Sequence, residues 1–312
     1  VCFTSAGRAA AAAEGGSGRG GGPGAASKGC AAGGGAAGRS SPDRESARAC
    51  LADLRRACPG REWRLIEVDR PASDVLVVGS HLQRVLCTND SVMDLSIAGA
   101  LWLASHGAGW LRSEDGAAPL AVRSQCRVLL SGQGADELFA GYSRHRTAAL
   151  RSAEGETAFA AAAAAAGPAQ AHGADAASHG PPGTDGLIWG EAARQRLRAV
   201  LCEDQARIWR RNLGRDDRVI ADCGKELRAP FLDRRVVAAA GRQRPEDLVR
   251  PGEGRGVAEK AVLRDAAKSL GLASSAVLAK RAVQFGSRLA KQLNQATAGK
   301  AGGVKGGDRL RL

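Results

Sequence analysis

The chain has 312 residues, with 45 Lys or Arg against 32 Asp or Glu and a formal net charge of +13. Residues 8–41 and 153–186 are mostly Gly and Ala and read as solvated low-complexity inserts, which leaves enough chain for one domain with a buried core. No apolar run approaches the roughly 20 residues of a membrane span, and the composition excludes a collagen or a wholly disordered chain.

Val1-Cys2-Phe3-Thr4 reads as the middle of a buried strand, so the chain is expected to continue upstream. Neither a signal peptide nor a transit peptide can be read. The eight cysteines are scattered, with no CxxC pair and no His at metal-ligand spacing, as for unpaired small hydrophobes in a reducing, cytoplasmic setting. Ala47, Leu51, Leu54 and Cys58 predict an amphipathic helix over 44–58, stopped by Pro59-Gly60. Residues 64–68 predict a strand. Helices follow over 74–86 and 92–106, separated by the turn-like Thr88-Asn89-Asp90; the apolar run 95–104 is expected to be a buried helix. Residues 127–131 predict a parallel strand buried on both faces, and from Ala135 the chain turns helical. After the second insert, residues 191–213 form a helix with Leu197, Val200, Leu201, Ile208 and Trp209 on one face and Gly214 as its stop. A last helix spans 257–270 and ends at Gly271. Strands alternating with helix-length segments indicate an α/β fold with a mainly parallel sheet. One domain is expected over 1–294, followed by a basic tail over 295–312.

The segment most informative about chemistry is Ser131-Gly132-Gln133-Gly134-Ala135-Asp136-Glu137-Leu138-Phe139-Ala140-Gly141-Tyr142. A strand feeds a glycine turn, and a helix begins at once. Gly132 and Gly134 let backbone N–H groups approach an anion without Cβ interference, and a helix N-terminus adds partial positive charge. Asp136 could hold Mg2+, or Asp136 and Glu137 could simply complement the helix dipole. Lys260 falls in a basic stripe with Arg264 and Lys268, which by itself reads as a solvated helix face.

That segment resembles the S-G-x-G-S/A-D-E-x-F/L-x-G-Y signature of the asparagine synthetase C-terminal domain family, in the ATP-pyrophosphatase (adenine-nucleotide alpha-hydrolase) group. Two further segments agree in order: Gly224-Lys225-Glu226-Leu227-Arg228-Ala229-Pro230-Phe231-Leu232-Asp233, and Glu259-Lys260 followed by Ala279-Lys280-Arg281-Ala282-Val283-Gln284-Phe285-Gly286. Ser91-Val92-Met93-Asp94, Ser143-Arg144-His145-Arg146 and Asn212-Leu213-Gly214-Arg215-Asp216-Asp217-Arg218 resemble one divergent branch of that family. The resemblance implies a parallel sheet sandwiched by helices with a helical C-terminal part. It also implies ATP and Mg2+ as the nucleotide and its metal, aspartate with ammonia or glutamine as substrates, and an N-terminal glutaminase domain in the full-length chain. Ser131, Gly132 and Gly134 would contact the nucleotide, Asp136 would help to bind Mg2+–pyrophosphate, and Lys260 matches the family's pyrophosphate-stabilising lysine.

Departures from the pattern open other readings. Gln133 stands where the biosynthetic enzyme usually carries Glu, and an amide cannot act as a general base. The family's S-G-G-x-D-S loop is absent from these residues, so the chain as it stands is at best part of an active site. A catalytically inactive, nucleotide-binding relative is the alternative. Nucleic-acid binding is a third reading, but the basic residues are spread along the chain with few aromatics to stack on bases. Glu226 and Arg228 are expected to form a buried ion pair, and Trp63, Trp102 and Trp209 core positions; His145 could touch phosphate, but a solvated cluster with its arginine neighbours is the reading favoured.

Overall fold

Ser41 opens the first helix of the computed structural model, which describes residues 41–70, 72–87, 91–112, 118–150, 189–250, 252–291 and 293. The strand expected at Val1–Thr4, the second insert, the first insert up to Ser40, the turn 88–90, the tail from 295, Cys2 and Cys30 lie outside the described residues.

Helix α1 spans Pro42–Ala57. Ser41 Oγ caps the Arg44 N–H, Asp43 and Glu45 sit in the first turn, and Arg55 and Arg56 sit in the last, each complementing the helix dipole. The strand expected over 64–68 is reduced to β1 (Ile66–Glu67), the edge of an antiparallel sheet with β2 (Ala108–Leu111) and β3 (Leu120–Arg123). Glu67 is buried there, and it tolerates burial because Arg48 Nε and Arg112 Nε donate to it at 2.6 and 2.8 Å.

The helix expected over 74–86 divides at Val78 into α2 (Ala72–Val77) and α3 (Gly79–Leu86). Helix α4 (Val92–Ser105) starts from a Ser91 cap whose hydroxyl accepts the Asp94 N–H at 3.1 Å. Its buried Leu95 and Ala98 pack with Val75, Leu82, Leu86, Val219, Leu289 and Leu293 as one core cluster.

Strand β4 (Val128–Leu130) runs parallel to β5 (Glu226–Arg228), with Leu129 opposite Leu227. The expectation of burial on both faces fails. Leu129 is 5% exposed, but Val128 and Leu130 are 41% and 66% exposed, because alternation turns them to a face that no described element covers. Glu226 and Arg228 pair at 2.7 Å on that exposed face, so their ion pair is solvated rather than buried. The described sheets are thus small, one antiparallel and one parallel, within a mostly helical chain.

Beyond β4 come α5 (Ala135–Leu138) and α6 (Ser143–Leu150). Helix α7 (Glu191–Ile208) runs into a π-turn (Trp209–Leu213) and on into α8 (Gly214–Asp222). Gly214 therefore does not stop the helix; its φ of −64° is helical. The π-turn also moves Trp209 off the apolar face, leaving it 66% exposed, whereas Leu197, Leu201 and Ile208 are buried. Trp63 and Trp102 are partly buried, and Trp102 packs against the α4 cluster. A 3-10 turn (Pro230–Leu232), α9 (Arg234–Gly241) and α10 (Pro245–Leu248) complete a second core cluster around Leu138, Phe139, Leu197, Leu201, Leu248 and Val249. Helix α11 (Ala261–Ser269) begins later than expected because Lys260 is left-handed (φ +59°); it ends at Gly271 (φ +80°), as the sequence indicates. Among the described residues no helix is long and apolar enough to cross a membrane.

Candidate functional site

Parallel pairing brings the carboxyl ends of β4 and β5 to one edge, where the glycine turn and the Pro230–Leu232 turn meet. Ser131 N–H donates to Arg228 O at 2.8 Å, and Ser131 Oγ accepts the Gln133 N–H at 3.2 Å. Gly134 is left-handed (φ +92°), and a Cβ there would lie 2.5 Å from Leu232, so the second motif is the floor on which the first is folded. Nothing lies within 4 Å of a Cβ placed on Gly132, which leaves its backbone open to close approach. The helix that follows has only four residues. The dipole expected from it is confined to one turn, and side chains supply most of the positive field.

Those side chains converge on Asp136. The chain reverses at Ala140 (φ +56°) and Gly141, whose N–H donates to Asp136 O at 2.8 Å. A Cβ on Gly141 would fall 2.0 Å from Asp136 Oδ1, so glycine is required beneath the carboxylate. Lys260 Nζ stands 3.1 Å from Oδ1 and Lys280 Nζ 3.3 Å from Oδ2. Burial alone would raise the Asp136 pKa, but the two ammonium groups outweigh it and hold the carboxyl below its ordinary range.

The lysines are delivered by a loop that Arg264 ties together. Its buried guanidinium donates to the carbonyls of Glu259, Ala276, Leu278 and Gly256 at 2.6–3.0 Å. Gly256 O also accepts the Lys280 N–H at 2.8 Å, and Glu259 Oε2 accepts the Gly256 N–H at 2.8 Å. Lys260 and Arg264 consequently share no solvated basic stripe: one reaches an aspartate and the other is buried.

The opposite wall of the cleft, whose volume is about 430 Å³, is a single helical stripe. Asp204, Arg207, Ile208, Arg211, Asn212, Arg215, Asp216 and Ile220 line it at spacings of three and four through α7, the π-turn and α8. Three polar networks tie this stripe to the turn. Tyr142 Oη donates to Glu137 Oε1 at 2.5 Å, and Asn212 Nδ2 donates to the same oxygen at 2.8 Å; burial and Glu137 together push the tyrosine pKa up. Gln133 Nε2 donates to Asp216, which Arg215 Nε meets at 2.7 Å while Arg215 Nη1 reaches Asp94 at 2.9 Å. Burial pushes the Asp216 carboxyl up and Arg215 only partly offsets it. In the third network, Asp204 accepts from Arg144, from Arg207 and from His145 Nε2, the last at 2.7 Å.

His145 is therefore fully buried, not part of a solvated cluster; burial keeps it neutral by lowering its pKa despite Asp204. Of the residues singled out from sequence, Ser131, Gly132, Gly134 and Asp136 line the cleft, and Lys260 reaches it through Asp136. Sequence reasoning gave no site role to Lys280, Tyr142, Asp204, Asn212, Arg215 or Asp216. For Asp204, Arg215 and Asp216 the signal was charge recurring every three or four residues between 204 and 216.

Among the described residues no group of three or more His, Cys, Asp or Glu is placed to hold a metal. Asp136 nevertheless presents one buried oxygen, Oδ1, that forms no well-aligned hydrogen bond although Lys260 lies close by. One carboxylate suits a hard cation whose remaining ligands are phosphate oxygens and water. The six described cysteines are free thiols, with Cys58, Cys87 and Cys202 exposed; burial beside Asp222 pushes Cys223 up to about 11.

The asparagine synthase family model matches residues 78–300. The chain is 40% identical over 256 residues to asparagine synthetase domain-containing protein 1 of Bos taurus, which covers 81% of this chain and 33% of that protein. It is 37% identical over 269 residues to the Homo sapiens protein of the same name, with 84% of this chain and 35% of the relative covered. The chain thus spans about a third of the length of the curated relatives it matches.

Proposed function

The chain belongs to the asparagine synthase family, and we propose that it forms the synthetase part of an ATP-dependent, asparagine-forming enzyme. That family uses ATP as a substrate. In the proposed reaction the aspartate β-carboxylate attacks the α-phosphorus of ATP, giving β-aspartyl-AMP and pyrophosphate. Ammonia, free or released from glutamine by a further domain, then attacks the acyl carbon, loses a proton and expels AMP.

The observation that carries this reading is the clamp of Lys260 and Lys280 on Asp136 beside an open glycine turn. Phosphate transfers depend mainly on positioning and charge neutralisation. The exposed backbone at Gly132, between Ser131 and the buried Gly134, lets phosphate oxygens approach, and the two ammonium groups neutralise the departing pyrophosphate. Asp136 holds both lysines in place before the polyanion arrives. As the lysines turn to phosphate, Asp136 frees an oxygen to help hold Mg2+, which when bound would neutralise charge on the phosphates.

The test is aspartate- and ammonia-dependent pyrophosphate release by the full-length protein, set beside a Lys260→Ala variant. Release is expected to fall by about a hundredfold or more in the variant; equal release by both removes Lys260 from the site. Gln133 favours a second reading, a relative that binds nucleotide without catalysis. Saturable ATP binding with no aspartate-dependent pyrophosphate release would establish that reading instead.

A further inference from the structure

We propose that Arg144 and Arg211 form an anion subsite on the helical wall of the cleft, and that it takes a carboxylate of the small acid substrate. The identity of that acid rests on the synthetase reading above; the subsite rests on geometry alone.

The subsite is built around a buried peg. Asp204 is 3% exposed, and both its oxygens are occupied: Oδ2 by Arg144 and His145 Nε2, Oδ1 by Arg207 Nη2 at 2.6 Å and Nε at 3.1 Å. His145 Nδ1 faces the Tyr142 N–H at 3.4 Å, so the ring carries its proton on Nε2 and acts as a fixed neutral donor. Asp204 thus has no oxygen left for a ligand; it fixes Arg144 and Arg207 at the cleft surface, and Arg207 Nη1 meets Glu203 at 2.8 Å, so of the two only Arg144 keeps a free edge.

Arg144 is pinned to Asp204 through one terminal nitrogen and stacked on Tyr142, 4.3 Å from the ring centroid. Its remaining donors meet no partner among the described residues. Arg211 is exposed, lines the same cleft and has no ion pair among the described residues. It stands on the π-turn, a distortion that recurs at functional sites, which sets it on the wall four residues beyond Arg207. A guanidinium with a free edge, as on Arg144 and Arg211, recognises a planar carboxylate through paired hydrogen bonds.

The nucleotide's phosphates have their own cations. Lys280 lies 4.7 Å from the Tyr142 centroid, so one ring touches both the lysine clamp and the arginine cluster. A two-substrate cleft needs both: one end for the polyphosphate, the other to anchor the acid whose second carboxylate reacts.

The experiment titrates the full chain with Mg2+ and α,β-methylene-ATP, then separately with L-aspartate and with succinate, for the wild type and for Arg144→Gln and Arg211→Gln. Acid affinity is expected to fall about tenfold in each variant, while nucleotide affinity stays within about twofold. Arg144→Lys keeps the charge but not the fork and should not restore acid binding. Unchanged acid affinity, a parallel fall for nucleotide, or a wild type that binds nucleotide but neither acid overturns the subsite. A wild type that binds no nucleotide overturns the synthetase reading instead, and the acid titrations still decide the subsite. Circular dichroism checks each fold, and Arg211→Gln, at an exposed position, keeps the test open if Arg144→Gln unfolds.

Discussion

The two walls of the cleft reach a polar surface by opposite means. The turn wall, from Ser131 to Tyr142 with its two lysines, rests on backbone: a left-handed Gly134, a side-chain-free Gly141 under Asp136, and cations supplied by a distant loop. The helix wall, from Asp204 to Ile220, rests on buried charge, with Arg215 set between Asp94 and Asp216. The first wall costs less desolvation than the second, because the Asp136 side chain is 24% exposed whereas those of Arg215 and Asp216 are each 6% exposed. The second is expensive to assemble and stays intact only while every partner is present. Damage to the turn wall should therefore appear in binding, and damage to the helix wall in stability.

The largest effect is expected at Arg215. Arg215→Met leaves Asp94 and Asp216 without their shared cation, and the loss should be about 3–5 kcal/mol, read as a lower urea midpoint. A loss under about 1 kcal/mol would show that the two walls do not differ in this way.

Next comes Gly141→Ala. Its methyl group would collide with Asp136 Oδ1, so the carboxylate must swing away from Lys260. Stability should drop by about 1–3 kcal/mol. Affinity for α,β-methylene-ATP should fall more steeply than in Arg215→Met variants that remain folded. Unaltered nucleotide affinity would detach Asp136 from the proposed site.

The smallest effect, and the most diagnostic, is in pH. The Asp136 pKa is lowered on folding, so its contribution is present above the unfolded value of about 3.8 and is lost as pH falls through the folded one. The Asp216 pKa is raised, so its contribution is full below about 3.8 and is lost as pH rises through the folded value. Urea midpoints between pH 3 and pH 7 should therefore show opposite changes in slope for Asp136→Asn and Asp216→Asn. Slopes that change in the same direction would refute the contrast between the walls.

The turn wall was legible because its requirements are local. Ser131-Gly132-Gln133-Gly134 after an apolar run, and a glycine two residues past Phe139, state their backbone needs in adjacent letters. Of the helix expected over 191–213, residues 191–208 are a regular α-helix, and of the apolar run 95–104 expected to be buried, residues 95–99 are buried and 100–104 half-buried. The helix wall was not legible. A glycine at 214 reads as a stop, yet packing carries the helix through it, and a π-turn at Trp209–Leu213 leaves no mark in composition. His145 looked solvated between two arginines because nothing nearby in sequence announces Asp204, 59 residues away.

The sequence by itself determined where backbone must bend and which helical faces avoid water, because glycine freedom and hydrophobic periodicity act over a few residues. Tertiary structure alone decided which charges are paired. Lys260 and Lys280 meet Asp136, and Arg215 meets Asp94, only after segments more than a hundred residues apart have packed together. The energy of a charge is set by its neighbours in space and by the water they exclude, and neither can be read along the chain.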